Sequence, residues 1–469
     1  MRSLVIFLLG FILRVAIIVT NPIIFGGDTM IRLADRYTLV KAHQLPMLQI
    51  LIAAVSTISM DPVLVRYLMA VIGAVAGLGF YWMVTDVCGE KWAFPAALFF
   101  VTNPFVLAVS TVPFQEILML AALFFAFHFF YNERWAAASL CLAVACLTRY
   151  EAWPACLVLA AAYVIRKDRS AIGWLKAAVL FFWMPAVWIA LQHGLTSTGH
   201  FVIERSVSIW RLQRYVYLGW ITVKYMQITV LLLAAAGVWR LYKDRSLLDW
   251  HMLMQVAFVV LFGISILFSA HGVMPDPERY VTSREAHIPI YFVVLLAALG
   301  LPALERPAFK GWMRPIVAAS VVLGIAGAVW YVRVETSKPD IQLAYHVARF
   351  LDASVRDHER VLILAAPITE ETSRLYLDKV RETGGEEGLR QARLELQQAS
   401  AEPPEYQRVR VYSKLGRDRL LLPPATCADW AAVWSDYPDA SRELNGSQPV
   451  QVLRAGEMSV TIVRRECGR

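Results

Sequence analysis

The sequence predicts a polytopic α-helical membrane protein of about eleven transmembrane helices, followed by a small C-terminal α/β soluble domain. Three observations carry this expectation. Of 469 residues, 58% are hydrophobic and only 17% are charged, too little polar surface to cover soluble cores of that apolar content. The apolar residues fall into runs close to the ~20 residues that cross bilayer hydrocarbon. These runs stop near Arg333, beyond which charged and apolar residues alternate as in a water-soluble module.

The first span is Ser3 to Thr20, which lacks a small-residue cleavage site and carries Arg14 within it; it therefore reads as a retained helix and not as a removed leader. Residues 21–61 form a long first loop. Thr29 to Ala42 can make an amphipathic helix there, and Met47 to Ile58 is an apolar segment too short to cross, which belongs at the interface. The remaining spans are Pro62 to Val87, Trp92 to Ser110, Glu116 to Tyr131, Trp135 to Thr148, Trp153 to Ile165, Trp174 to Leu195, Ile221 to Trp239, His251 to Ser269, His287 to Leu304 and Pro315 to Val332.

An odd number of spans puts the two termini on opposite sides. Under this count Arg166 to Arg169, Arg240 to Arg245 and Arg306 to Arg314 share a side with Arg2 and Lys91, which makes that side cytoplasmic and the long first loop extracytoplasmic. The net charge of +8 then follows from topology. No basic stripe with interleaved aromatics accompanies it, so a nucleic-acid partner is excluded. Short loops, a compact tail and the lack of a retention signal favour a bacterial inner membrane, with the N-terminus cytoplasmic and the tail periplasmic.

Residues 1–333 are thus the membrane domain and residues 334–469 the extracytoplasmic one. Its expected elements are a helix from Ile341 to Val355, a buried strand from Val361 to Ala366 and a capped helix from Thr369 to Arg381. A solvated stretch from Glu382 to Pro404 follows, and a hairpin pairs Val450 to Leu453 with Ser459 to Val463 around Gly456. The domain reads as a lid or stabilising cap without catalytic residues. Cys427 and Cys467 are its two cysteines, a candidate disulfide pair in an oxidising compartment, although spacing alone does not show that they meet.

Two polar passages interrupt the apolar chain: Gly26-Gly27-Asp28, just after the first span, and Leu147-Thr148-Arg149-Tyr150-Glu151-Ala152, between two later ones. Charge inside lipid is costly and marks function. The sequence holds no Gly-x-Ser-x-Gly elbow, no P-loop and no His-Glu-x-x-His. One early carboxylate facing several cations fits glycosyl transfer from a lipid-linked sugar phosphate, whose phosphate already leaves well and needs positive charge more than an acid. Asp28 is then the base on the acceptor hydroxyl, while Arg149 and Arg284 offset the developing phosphate charge. Arg279, Lys41 and His43 are further phosphate candidates. Glu151 and Tyr150 support Arg149, and Glu116 is either a second acid near the sugar or a helix N-terminal acid favoured by the dipole. Asp28 also suits the N-cap of a helix starting at Thr29, a role compatible with catalysis. No cofactor is expected, and no metal, because a divalent site wants more carboxylates than Asp28 and Glu116.

These passages, with Leu45-Pro46-Met47-Leu48, Asn103-Pro104-Phe105, Thr148 to Trp153 and Ser283-Arg284-Glu285, resemble the GT-C superfamily of membrane glycosyltransferases. The resemblance is to its protein O-mannosyltransferase and aminoarabinose transferase branch, and it covers the membrane domain. It implies a polyprenyl-phosphate sugar donor, inversion at the anomeric carbon and a first-loop carboxylate as base, which is Asp28 here. The mannosyltransferases commonly carry adjacent acids where this chain has Asp28-Thr29. The aminoarabinose transferases place a Lys beside paired prolines where this chain has His43-Gln44-Leu45-Pro46. The acceptor therefore stays open among glycan, lipid and protein. The alternatives are a flippase or transporter for a lipid-linked substrate, and a non-catalytic membrane assembly protein.

Overall fold

The computed structural model describes residues 1–26, 29, 32–33, 36–37, 45–59, 61–195, 209–268, 286–305, 307–309, 311–356, 359–364, 404–413, 420–421, 428–435, 444, 449–456 and 458–465. Most of them are helical. In chain order the helices are α1 (Arg2–Thr20), α2 (Met47–Ser56), α3 (Pro62–Cys88), α4 (Glu90–Val101), α5 (Pro104–Val109), α6 (Gln115–Tyr131), α7 (Trp135–Cys146), α8 (Trp153–Arg166), α9 (Ala171–Leu195), α10 (Ile209–Lys224), α11 (Ile228–Lys243), α12 (Trp250–Phe268), α13 (His287–Gly300), α14 (Met313–Thr336), α15 (Pro339–Ser354) and α16 (Pro404–Tyr412). Five helical segments are long and apolar enough to cross a membrane: Arg2–Thr20, Pro62–Cys88, Ala171–Leu191, His287–Glu305 and Met313–Thr336. The chain is an integral membrane protein. The amphipathic helix expected over 29–42 and the helix expected over 369–381 fall largely or wholly outside the described residues.

Two of the expected spans are broken. Between 92 and 110 the chain makes α4 and then the short α5, because Asn103 caps a new helix: its Oδ1 accepts from the backbone N–H groups of Phe105 and Val106, both at 3.1 Å, and Pro104 occupies the first turn. Asn103 Nδ2 also donates to the Tyr225 carbonyl at 3.0 Å. That carbonyl lies in the second break, where residues 225–227 separate α10 from α11 inside the expected span from Ile221 to Trp239. The two breaks thus satisfy each other.

The membrane core is aromatic. Phe80 of α3 stacks on Phe100 of α4, 4.6 Å between centroids, and meets Phe124 of α6 at 5.2 Å; Phe124 in turn packs edge-on to Tyr291 of α13 at 5.3 Å. Four helices are thereby pinned through one cluster. Arg14 of α1 lies wholly buried, donating from Nε to Ser110 Oγ at 2.6 Å and from Nη1 to the Gly10 carbonyl at 2.8 Å. Gly73 makes room for it, because a Cβ there would run into Arg14 Nε and Cδ. Gly73→Ala is expected to destabilise the protein by about 1–3 kcal/mol through overpacking, seen as a lower thermal midpoint in detergent.

The C-terminal residues form a five-stranded sheet in the order β2-β1-β3-β5-β4, where β1 is Val361–Leu364, β2 Leu420–Leu421, β3 Trp430–Trp434, β4 Pro449–Ala455 and β5 Met458–Arg464. β1 is parallel to β2 and β3; β5 is antiparallel to β3 and β4. The β4–β5 hairpin turns at Gly456, whose φ of +58° suits glycine. Leu343, Val347 and Leu351 of α15 bury against Trp430, Ala432 and Trp434 of β3 and Val460 and Ile462 of β5, residues two apart on one face of the sheet.

Glu359 locks the entry to β1. Its Oε2 accepts from the Arg356 N–H and the Trp430 indole, both at 2.9 Å, and its Oε1 from Arg464 Nη2 at 3.0 Å. Burial pushes this carboxyl up, but the two donors together with the Arg464 and Arg356 charges outweigh it and hold the group below the ordinary glutamate range. A depressed folded pKa gives a stabilisation that is complete above the unfolded value, roughly 4.3, and is lost as pH falls through the folded one. Glu359→Gln is expected to remove that acid-side loss, measured as hydrogen exchange of β3 across acid pH.

Candidate active site

The ends of several helices and the first loop collect on one face, opposite the Arg2 end of α1. Asn21, just past α1, donates from Nδ2 to Thr336 Oγ1 at the end of α14 at 3.0 Å. Its carbonyl accepts from Nη1 of the buried Arg66 of α3 at 2.7 Å, while Arg66 Nε donates to the Thr111 carbonyl at 3.0 Å. Arg14 and Arg66 are therefore held by a hydroxyl and by carbonyls, and none of their described partners is acidic.

Three contacts seat the first loop on the head of α6 and the end of α7. Gly26 adopts φ +91°, and a Cβ there would lie 2.6 Å from the Phe114 ring, so both its conformation and its neighbour demand glycine. Arg32 donates from Nη2 to Gln115 Oε1. The Met47 N–H, opening α2, donates to the Leu147 carbonyl at 3.1 Å. Gln49 then collects the loop's own carbonyls, donating to Arg36 O at 2.9 Å and Arg32 O at 3.2 Å.

Beside these contacts lies a buried ionic cluster. Glu116 sits in the first turn of α6 and Arg149 in the turn between α7 and α8. Arg149 donates from Nη1 to Glu116 Oε1, from Nη2 to Glu151 Oε1, and from Nε to Glu151 Oε2 at 2.9 Å. The Glu151 pair is the two-pronged geometry that suits guanidinium and carboxylate. Glu116 is 1% exposed and Arg149 9%, so the pairing takes place away from water. Glu116 Oε2 is buried without a hydrogen-bond partner among the described residues. One cation against two carboxylates leaves the trio with a formal charge of −1.

Local structure fixes Arg149. Its N–H donates to the Ala145 carbonyl at 3.0 Å, ending α7, and Trp153 Nε1 donates to the Cys146 carbonyl at 3.1 Å across the turn. Tyr150 packs edge-on against Trp153, 5.2 Å between centroids, and its hydroxyl accepts from Trp188 Nε1 of α9 at 3.4 Å. Trp153 braces this turn.

The structure is similar to that of ArnT from Cupriavidus metallidurans. The apo form aligns with a TM-score of 0.53 at 12% identity, covering 93% of this chain and 91% of that one. The form bound to undecaprenyl phosphate aligns with a TM-score of 0.53 at 13% identity, covering 98% and 96%. The chain has the GT-C fold. A weaker likeness, TM-score 0.46 at 13% identity over 76% of this chain and 60% of the other, runs to an oligosaccharyltransferase from Archaeoglobus fulgidus. No protein-family model matches the chain, and no curated protein sequence does.

Within the GT-C fold of this chain, Glu116 at the head of α6 and Arg149, Tyr150 and Glu151 of the turn after α7 come together from two separate stretches. Asp28, Lys41, His43, Arg279 and Arg284 lie outside the described residues. Gln115 and Arg32, which join the loop to the head of α6, carry no signal in the sequence that singles them out, whereas Met47 lies in the Leu45-Pro46-Met47-Leu48 segment. Among the described residues no three His, Cys, Asp or Glu side chains gather as they do around a metal ion.

Proposed function

We propose that the protein is an inverting glycosyltransferase that moves a sugar from a polyprenyl-phosphate donor to an acceptor hydroxyl at the extracytoplasmic face of a bacterial inner membrane. The observation that carries this reading is the seating of the first loop. Gly26 and Arg32, which flank Asp28 in the chain, meet Phe114 and Gln115, and Glu116 follows directly with its bond to Arg149. A GT-C fold supports it, as does undecaprenyl phosphate bound to the similar ArnT.

In this reading Asp28 takes the proton of the acceptor hydroxyl as its oxygen attacks the anomeric carbon from the side opposite the phosphate. The bond from that carbon to the phosphate oxygen breaks, and polyprenyl phosphate leaves without needing a proton. Arg284, with Arg279, Lys41 and His43, supplies charge to the departing phosphate. Arg149 already serves two carboxylates, so its contribution to the phosphate is shared, and its larger part is to hold Glu116 and Glu151 in place. The unused lone pairs of Glu116 Oε2 suit a sugar hydroxyl as donor. No metal or cofactor enters the scheme.

The test is transfer of radiolabelled sugar from a panel of polyprenyl-phosphate donors into lipid, glycan and protein fractions by the purified protein in liposomes. Label in one fraction is the expected result and identifies the acceptor. No label with any donor, alongside movement of the donor across the bilayer, would overturn the transferase reading in favour of a flippase.

A further inference from the structure

The C-terminal residues hold the first loop directly. Tyr412, the last residue of α16, donates its hydroxyl proton to the Ile24 carbonyl at 2.7 Å and accepts from the Ile24 N–H at 3.0 Å. One phenol thus satisfies both backbone groups of a residue that belongs to no helix or strand. Its ring is fixed from behind by Tyr345 of α15, edge-on at 5.3 Å. Burial pushes the Tyr412 phenol well above its ordinary pKa, so it keeps the proton it donates throughout the working pH range. Arg408, one turn earlier on α16, pairs with Asp340 of α15 at 2.8 Å, which ties the two helices together on their own side of the contact.

Ile24 is the middle of a segment gripped along its length. Asn21 is bonded to Thr336 and Arg66, Ile24 to Tyr412, and Gly26 lies against Phe114. The Phe25 side chain is buried, with its ring edge-on to Tyr331 of α14 at 5.9 Å. Asp28 is four residues beyond Ile24 in the chain. We infer that Tyr412 is a positioning residue for the catalytic loop: the extracytoplasmic module serves the reaction by fixing the backbone that leads into Asp28. This rests on the assignment of Asp28 as base. It changes the part played by the C-terminal residues, from an inert cap to an element whose removal slows chemistry.

The experiment compares Tyr412→Phe, which keeps the ring and deletes both hydrogen bonds, with Asp340→Asn, which cuts the Arg408 tie and leaves Ile24 alone. Three quantities are read for each: hydrogen exchange of the Ile24 amide, kcat, and KM for the polyprenyl-phosphate donor. Tyr412→Phe is expected to speed Ile24 exchange and to lower kcat by about ten- to a hundredfold, as misplacement of a reacting group does. Donor KM should move by less than about twofold, because donor binding is not what is lost. Asp340→Asn should leave kcat at the wild-type value. Faster exchange with unchanged kcat would overturn the positioning role, and so would an equal kcat loss in Asp340→Asn, which would mark a general loss of tail stability. An Asp28→Asn variant that transfers sugar as fast as wild type would instead overturn the base assignment itself, a failure separate from either of these.

Discussion

Asp28→Asn is expected to slow sugar transfer by about 100- to 10,000-fold, the usual contribution of a positioned general base. Asn keeps the size of the side chain and an oxygen able to cap a helix start, so the helix-capping role of Asp28 survives the change while its basicity does not. A capping residue alone predicts almost no kinetic effect from this substitution. The loss should fall on kcat, with donor KM nearly unchanged, because a proton is taken only as the acceptor attacks. Acceptors with more acidic hydroxyls should recover part of the rate in the variant, since they depend less on a base. A rate within about threefold of wild type across acceptors would show that the base lies elsewhere; Glu116, whose Oε2 has no partner among the described residues, would then be the next carboxylate to replace.

The apolar helices are legible because apolar runs, repeated along a chain with so few charges, have no soluble core large enough to bury them; five of them have the length and apolarity to cross a membrane. The observed α3, α6, α8 and α12 begin within one residue of the starts read from sequence. The break at Asn103-Pro104 was visible as a residue pattern, an N-cap residue followed by proline, yet the apolar run on either side outweighed it. Strand β3 was not legible. Trp-Ala-Ala-Val-Trp is buried at all five positions, so it lacks the alternation that marks a half-exposed strand. The hairpin around Gly456 shows that alternation, and its two strands stand out in the sequence for that reason. The Glu116–Arg149 pair joins residues 33 positions apart, and nothing local in either stretch names the other; only the packing of α6 against α7 brings them together. Tyr412 and Ile24, separated by 388 positions, are the extreme case, because a phenol that binds backbone leaves no complementary side chain for a sequence reading to find.

Arg149→Met is expected to cost about 3–5 kcal/mol, the usual result of removing one partner from a buried ion pair, and to abolish transfer. Met fills much of the volume but removes the guanidinium that bonds the buried Glu116 and Glu151. Adding Glu116→Gln removes one of the two charges and should restore a large part of the stability without restoring transfer, which separates the structural role of Arg149 from its part in the reaction. Arg149→Lys discriminates further: a single ammonium keeps the charge but cannot reach three carboxylate oxygens as the guanidinium does, so it should fold better than Arg149→Met and still transfer poorly. If Arg149→Lys transferred at the wild-type rate, the point charge alone would suffice, and the turn from Thr148 to Ala152 would matter for where it puts that charge and not for the geometry of the fork.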